Sequence, residues 1–186
     1  MPRTTTPKSF KENTRLGMIV LVACVLVSVL VLAPVKLSGA RSKAEEVFRN
    51  GTEKGITVSV YTDLIAMAEN ANRLANFASE QLGESNGDIQ TLKDSAKKIF
   101  DAKDEKTMLN AYSDIALAAD NVYTRLTGSV QENAKGAYVN IDNYVSTIKR
   151  DSYFTYADAF NRSRNSFPAI ILAGLFGIDE MPTLGK

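Results

Sequence analysis

The acidic side chains are the first candidates for chemistry in this sequence, because two pairs of them lie close together along the chain. Glu45 and Glu46 are adjacent, and Asp101 lies three residues before Asp104. Paired carboxylates act as acid and base in some catalytic sites, and they also bind hard cations. Neither pair has a nucleophile or a further cluster of ligands beside it in the sequence. We therefore interpret both pairs as solvated helix faces or helix caps.

Two residue types that catalysis and metal binding commonly use are absent or nearly absent. The sequence has no histidine, which removes the commonest general base and zinc ligand. Its single cysteine, Cys24, allows no intramolecular disulfide and no site built from several thiolates. The 22 basic residues nearly balance the 21 acidic ones, so no net charge attracts nucleic acid. We expect no catalytic residue, no cofactor and no bound metal.

Aromatic and basic residues of the second half offer two weaker candidates. Five tyrosines there are candidates for lining a ligand groove, although amphipathic edges of a core explain them more simply. They are Tyr123, Tyr138, Tyr144, Tyr153 and Tyr156. Four cations, Lys149, Arg150, Arg162 and Arg164, are spread over several helical turns. Anionic headgroups would need a denser patch, so we interpret the four as solvated charges.

An uncharged apolar run near the amino terminus predicts a transmembrane helix. It extends from Leu16 to Ala33, about 18 residues, and reaches the length of a hydrocarbon core if continued through Val35. We predict an anchor over residues 16–37, preceded by a disordered tail at residues 1–15. The apolar residues that would face lipid are Leu16, Ile19, Val20, Leu21, Val22, Val25, Leu26, Val27, Val29, Leu30, Val31 and Leu32.

A cleaved signal peptide is the alternative, with Ser38, Gly39 and Ala40 as its small residues. The apolar run is longer than the signal core of about 7–15 residues, which favours the anchor. Basic residues flank the run on both sides in similar number, so they hardly decide its orientation. Arg15 at the boundary slightly favours a cytoplasmic amino terminus and an exported remainder, at the cell membrane.

Apolar residues recur at helical spacing through residues 38–166, and no stretch shows the alternation of a strand. The pattern predicts an all-α fold in which the transmembrane helix is followed by an elongated antiparallel helical bundle of three long helices and one short one. Pro34 and Gly39 are expected to interrupt the helix after the membrane. The predicted helices cover about residues 42–82, 88–100, 104–128 and 129–165.

The expected boundaries of these helices follow from local signals. Gly51 and Gly55 weaken the first helix and mark a place for a break or kink. Asp88 and Asp104 are predicted to cap the next two helices. Ser129 to Glu132 has the form of a capping box, and the helix that begins there would be on the order of 50 Å long.

The carboxyl-terminal segment, residues 167–186, begins with a dozen almost wholly apolar residues and is too short to span a membrane. We expect it to cover the end of the bundle as a structural cap. Docking on a partner and insertion into the membrane interface are the alternatives. The candidate interaction residues are Phe167, Pro168, Ile170, Ile171, Leu175, Phe176 and Ile178.

This carboxyl-terminal region resembles the LemA family. In that family the last long helix typically ends with Tyr-Asn or Phe-Asn, followed by Phe-Pro, a short aliphatic run and a Leu-Phe-Gly-Phe-like turn. Phe160-Asn161, Phe167-Pro168, Ile170-Ile171 and the LFGI of residues 175–178 match that order and spacing. The Ile-Pro-x-Leu motif often found in the family's first soluble helix is replaced by DLIA at residues 63–66. The resemblance implies a membrane-anchored antiparallel bundle without established catalytic residues.

Together these features predict a single-pass, membrane-anchored scaffold or interaction protein of the LemA type that is not an enzyme. Its expected partners are the lipid bilayer and either another protein or a second copy of the chain, with no nucleic acid and no metal. Two alternatives stay open. One is a membrane-associated enzyme with an unrecognised carboxylate or tyrosine site, and the other is a self-associating protein that shapes the membrane.

Overall fold

The protein is all-α, as its sequence predicts, in a computed structural model that describes residues 14–52 and 58–184. Most of the predicted disordered tail and the residues around Gly55 lie outside these ranges. The described residues contain no strand. The helices are α1 Thr14–Val27, α2 Ala33–Asn50, α3 Val60–Leu82, α4 Gly87–Asp101, α5 Glu105–Tyr123, α6 Gly128–Lys149, α7 Tyr153–Asn165 and α8 Ala169–Phe176.

Helices α1 and α2 form one continuous rod. A π-helical turn at Ser28–Leu32 joins them, so helical structure runs without interruption from Arg15 to Asn50. The predicted interruption at Pro34 and Gly39 is therefore wrong. Pro34 lies in the first turn of α2, where a missing amide hydrogen is tolerated. The rod connects the apolar run directly to the residues that pack into the bundle.

Helices α3 to α6 form an antiparallel four-helix bundle with three long members and the shorter α4. Helix α3 packs against α4 and α6, while α5 packs against the same two neighbours. Gln81 at the end of α3 donates a 2.7 Å hydrogen bond to the Thr127 hydroxyl just before α6. Asp88 at the start of α4 lies 3.4 Å from Arg125 just after α5. These contacts pair the end of one helix with the start of another, as antiparallel packing requires.

The predicted first long helix is divided in two. Helix α2 ends at Asn50, where Gly51 has a φ of +72° that glycine adopts readily. Helix α3 then begins after Ser59, whose hydroxyl accepts a hydrogen bond from the Thr62 amide, while the Thr62 hydroxyl accepts one from the Ser59 amide. Gly51 thus marks a true end of a helix, whereas Gly55 lies outside the described residues. A cap absent from the prediction starts the next helix.

Two further boundaries differ from the prediction. No capping box forms at Ser129, because α6 starts one residue earlier, at Gly128, with Thr127 at the N-cap position. The Thr127 amide donates to the Gln81 side chain at 3.1 Å, a contact between residues far apart in sequence. Helix α5 ends at Tyr123, earlier than Gly128. Asp104 caps α5 as predicted, whereas Asn86 and not Asp88 caps α4.

The prediction of one last helix about 50 Å long is also wrong, because helical structure ends with α6 at Lys149 and starts again with α7 at Tyr153. The side chain of Asp151 accepts a 2.7 Å hydrogen bond from the Tyr153 amide, which takes the place of a helical bond. Helix α7 then packs against α2, and α8 contacts both. Residues 177–184, which we call the C-terminal strap, run back along α7. Helices α2, α7 and α8 and the strap together form a second layer beside the four-helix bundle.

Candidate interaction surface

The helix from Arg15 to Asn50 has 36 residues and is long and apolar enough to cross a membrane. None of the residues in its apolar window is buried against the rest of the protein. A helix of the interior would be covered, so burial in the core does not explain this composition. It is the one helix of this kind within residues 14–52 and 58–184. The predicted anchor thus consists of an exposed apolar helix fused to α2.

Helix α8 holds most of the candidate interaction residues, and it is apolar on both of its sides. Leu172 and Ala173 are buried against the protein, and Pro168 and Ile178 are half-buried. The other large apolar side chains of the segment are exposed, and Phe167, two residues before the helix, is 82% accessible. We call these exposed residues together the apolar face of α8, and they are Phe167, Ile170, Ile171, Leu175 and Phe176. The segment therefore covers part of the protein and also presents an uncovered surface.

The strap fixes α8 against α7. The Asn161 side-chain amide donates to the Met181 carbonyl, and the Met181 amide donates back to the Asn161 side-chain oxygen, both at 2.8 Å. Arg164 donates to the Ile178 carbonyl at 2.8 Å and lies 3.6 Å from Glu180. A carboxamide has the donor and acceptor of a peptide group, so Asn161 pairs with the strap as a neighbouring strand would. These roles of Asn161 and Arg164 have no signal in local periodicity.

Tyr153 lies at the centre of the same layer and is fully buried. Its ring meets Phe48 of α2 edge-on at 5.0 Å between centroids, and its hydroxyl donates to the Pro182 carbonyl at 2.8 Å. Burial, followed by the nearby charges of Glu105 and Glu45, raises the pKa of this hydroxyl. The group stays protonated and holds α2, α7 and the strap together, which gives it a packing role.

The predicted carboxylate pairs are not brought together into a site. Glu45 lies 2.8 Å from Arg41 one turn earlier, and Asp104 caps α5. Hydrogen bonds from the Thr107 amide and hydroxyl lower the pKa of Asp104. Across the described parts of the chain, no group of three or more Asp, Glu or Cys side chains is placed to hold a metal ion. Both pairs therefore act as surface and capping groups.

One acidic residue that the sequence analysis did not single out is buried. Asp63 in the first turn of α3 is 8% exposed, and its Oδ2 atom has no hydrogen-bond partner within the described residues. Burial, and then the negative charge of Asp151, raises the pKa of this carboxyl. The Asp63 carboxyl is therefore held nearer to its neutral form than an exposed aspartate would be.

The tyrosines and cations are also dispersed. Tyr123 and Tyr138 stack at 4.0 Å in the four-helix bundle, whereas Tyr156 lies 5.2 Å from Lys43 in the other layer. Lys149 and Arg150 lie at one end of α7 and the later two arginines at its other end. At 1.5 Å per residue, about 14 Å of helix lies between Tyr153, at the start of α7, and Arg162, so the two pairs of cations are well separated. Neither set forms a single site.

The sequence matches no protein-family model, and comparisons with curated proteins and with solved structures find no significant match. The apolar helix and the apolar face of α8 are therefore interpreted from their own geometry.

Proposed function

We propose that this chain is a non-enzymatic, single-pass membrane protein of the LemA type whose helical bundle serves as an interaction scaffold. The observation that carries the proposal is the continuous helix from Arg15 to Asn50. Its first half is apolar and exposed, and its second half packs into the protein through Leu37, Ala44, Val47 and Phe48. A helix of this kind holds a folded bundle at a fixed distance from the bilayer.

The use of the polar groups supports a role without catalysis. The acids described above cap helices, pair with arginines, lie exposed on the surface or, in the case of Asp63, are buried near Asp151. The tyrosines serve the core and the strap. Two open surface depressions combine acids, lysines and a threonine, with Asp94, Lys97, Lys98, Asp101 and Thr107 in one and Lys149, Asp158 and Thr183 in the other. In the first of them the Thr107 hydroxyl is engaged in the cap of α5, where it donates to Asp104. A membrane anchor followed by a long bundle provides a surface for binding other molecules and extends that surface from the membrane.

The membrane part of the proposal is tested with the single cysteine. Cys24 lies within the apolar run, so a membrane-impermeant maleimide added to intact membranes should leave it unlabelled until detergent is added. The control is Asn133→Cys in a Cys24→Ser chain, since Asn133 is exposed on α6. That cysteine should react from one side of the membrane only, which also gives the orientation. Labelling of Cys24 without detergent, or a mature chain that lacks residues 1–40 by intact mass, would contradict the anchor.

The scaffold part is tested by photo-crosslinking in cells. Leu117 on α5 is 67% exposed and Val139 on α6 is 45% exposed, which makes them the apolar positions of the bundle surface to probe. A photoreactive residue at either position should capture the same protein, or a second copy of the chain, in repeated experiments. Asn133 serves as the exposed polar control. If neither apolar position captures more than the control, the bundle is not a scaffold through this surface.

A further inference from the structure

We propose that the apolar face of α8 is a second membrane contact, inserted into the lipid interface beside the point where the anchor leaves the bilayer. The inference rests on the proposed membrane anchor and adds to it a lipid-binding surface outside the span. Its consequence is that the bundle is held in one orientation to the membrane by two contacts.

The position of α8 along the anchor helix carries the first step. Val35 is 64% exposed, and Leu37, two residues later, is the first buried residue of α2. Helix α8 contacts α2, and Arg41 lies 3.5 Å from the Asp179 carbonyl just after α8. At 1.5 Å per residue, Leu37 and Arg41 lie about 3 Å and about 9 Å beyond Val35. A headgroup layer is roughly 5–7 Å thick, so Leu37 lies within this layer and Arg41, which contacts the segment after α8, lies just beyond it. This part of α2, with α8 against it, is thus placed at the membrane surface.

The composition of α8 carries the second step. Its buried side packs through Leu172 and Ala173, so the exposed apolar residues are not the displaced core of a helix that failed to pack. Eight residues reach about 12 Å, which is too short to span and suits a helix lying along the interface. In water, an apolar surface of this kind would cause the protein to aggregate, whereas lipid covers the surface without burying polar groups.

Exposed charges of both signs lie around α8. Lys36 directly follows the exposed apolar part of the anchor, and Arg162 lies in the last turn of α7 just before α8. Both side chains are exposed. Asp179 and Glu180, just after α8, are exposed acids that oppose the attraction of these cations to anionic lipids. The apolar face would therefore supply the insertion on neutral and anionic membranes alike.

The chain contains no tryptophan, so a single introduced tryptophan reports on α8 alone. The full-length chain is reconstituted into phosphatidylcholine vesicles, with and without phosphatidylglycerol, carrying Phe176→Trp or Phe167→Trp. The matched control is Phe100→Trp, because Phe100 is 43% exposed on α4 of the four-helix bundle. Emission is measured with lipids brominated near the headgroup end of their acyl chains and with iodide in the water. Circular dichroism confirms that each variant folds.

The expected result is that brominated lipid quenches both α8 tryptophans strongly and the Phe100→Trp control little, while iodide does the reverse. Chains that float with the vesicles but whose α8 tryptophans are quenched by iodide would overturn the inference and leave the anchor standing. Tryptophans shielded from both quenchers would also overturn it, because protein, such as a second copy of the chain, and not lipid would then cover α8. Chains that do not float with vesicles would overturn both the anchor and the second contact.

Discussion

Asp63 shows at the scale of one residue how burial and a neighbouring negative charge act together against the helix dipole. A carboxylate in the first turn of a helix is favoured by the helix dipole, but this one is buried and lies near the negative charge of Asp151. The neutral acid is therefore stabilised in the folded protein relative to the ionised form. Asp63 therefore favours folding most at pH values at which its carboxyl is protonated.

Replacing Asp63 by asparagine should stabilise the protein at neutral pH. The folded-state pKa is raised, so the stabilising contribution of the neutral acid is fully present below its ordinary value of 3.8 and is lost as pH rises through the raised pKa. The substituted carboxamide cannot ionise and avoids that loss. Thermal unfolding in detergent at several pH values between about 4 and 7 should show a gain that grows with pH. Asp114→Asn on the exposed side of α5 is the control; an equal gain there would contradict the explanation.

Asn161 is the second residue whose contacts predict a measurable effect. Changing it to Ala removes two hydrogen bonds to Met181. At about 0.5–1.5 kcal/mol each, local stability of the strap should fall by about 1–3 kcal/mol. Hydrogen exchange of the Met181 amide should then accelerate by about fivefold to 150-fold, since about 1.4 kcal/mol corresponds to a factor of ten. The control is Asn110→Ala at an exposed position of α5, which should leave the exchange of the Met181 amide unchanged. An unchanged Met181 amide in the Asn161 variant would mean that other contacts hold the strap.

At the scale of elements, the ends of α8 decide whether its apolar face stays in place. Gly177 ends the helix in the left-handed region, with a φ of +63°, and the Ile178 amide donates to the Ala173 carbonyl at 2.9 Å. Glycine adopts this conformation without the clash of a Cβ atom. The turn directs the chain from α8 into the strap, so the two elements depend on one residue.

Two glycine substitutions in this region should have opposite effects. Gly177→Ala places a Cβ in the left-handed region at a cost of about 1–2 kcal/mol and should speed exchange of the α8 amides. Gly174→Ala lies inside the helix with open space around its Cβ position, and it should slow that exchange through better helix propensity, worth up to about 1 kcal/mol. Exchange is measured in the full chain by mass spectrometry. Effects of the same sign at both positions would contradict the assignment of Gly177 as the helix end.

The register between α3 and α6 is also set at this scale. Asn70 is 7% exposed, donates to the Ala66 carbonyl of its own helix and accepts from Asn140 across the interface at 3.2 Å. A buried polar pair of this kind is satisfied in one alignment of the two helices and would be left unpaired in another. It therefore specifies register in an interface otherwise made of small and aliphatic side chains.

The whole molecule consists of two layers of unequal extent. The two layers share one continuous core, to which the four-helix bundle of α3 to α6 contributes most of the buried apolar side chains. The part of the core contributed by α2, α7 and the strap is smaller and lies around Phe48, Tyr153 and Phe160. Helix α2 also contacts α3, and Arg49 and Glu105 add an ion pair of 3.9 Å between the layers. Local stability follows the amount of buried apolar surface.

The smaller layer should open more readily than the four-helix bundle. Hydrogen exchange of the full chain in lipid nanodiscs should show faster exchange in α7, α8 and the strap than in the centres of α3 and α6. A difference of about 2 kcal/mol in opening free energy would appear as a roughly thirtyfold difference in exchange rate. Detergent in place of lipid should increase the difference, if the bilayer covers α8. Uniform exchange in all helices would mean that the two layers open as one unit.

Local features of the sequence were sufficient to predict the fold class, the long apolar helix and several helix ends. Helical periodicity depends on side chains a few residues apart, so the all-α architecture is visible without tertiary information. The same holds for Asp104, whose cap bonds to a residue three positions later, and for the break at Gly51. The membership of the LemA family and the scaffold function stay predictions, because they rest on resemblance and on the absence of chemical signals.

The tertiary structure decided what depends on partners distant in sequence. The start of α7 depends on Tyr153, which packs on Phe48 and donates a hydrogen bond to the Pro182 carbonyl. The start of α6 depends on Gln81, whose side chain accepts a hydrogen bond from the Thr127 amide. The exposed side of α8 is the clearest case. Because this helix is apolar all round, its pattern cannot show which residues pack and which stay uncovered. Only the arrangement of α2, α7 and the strap places Leu172 inside and Phe176 outside.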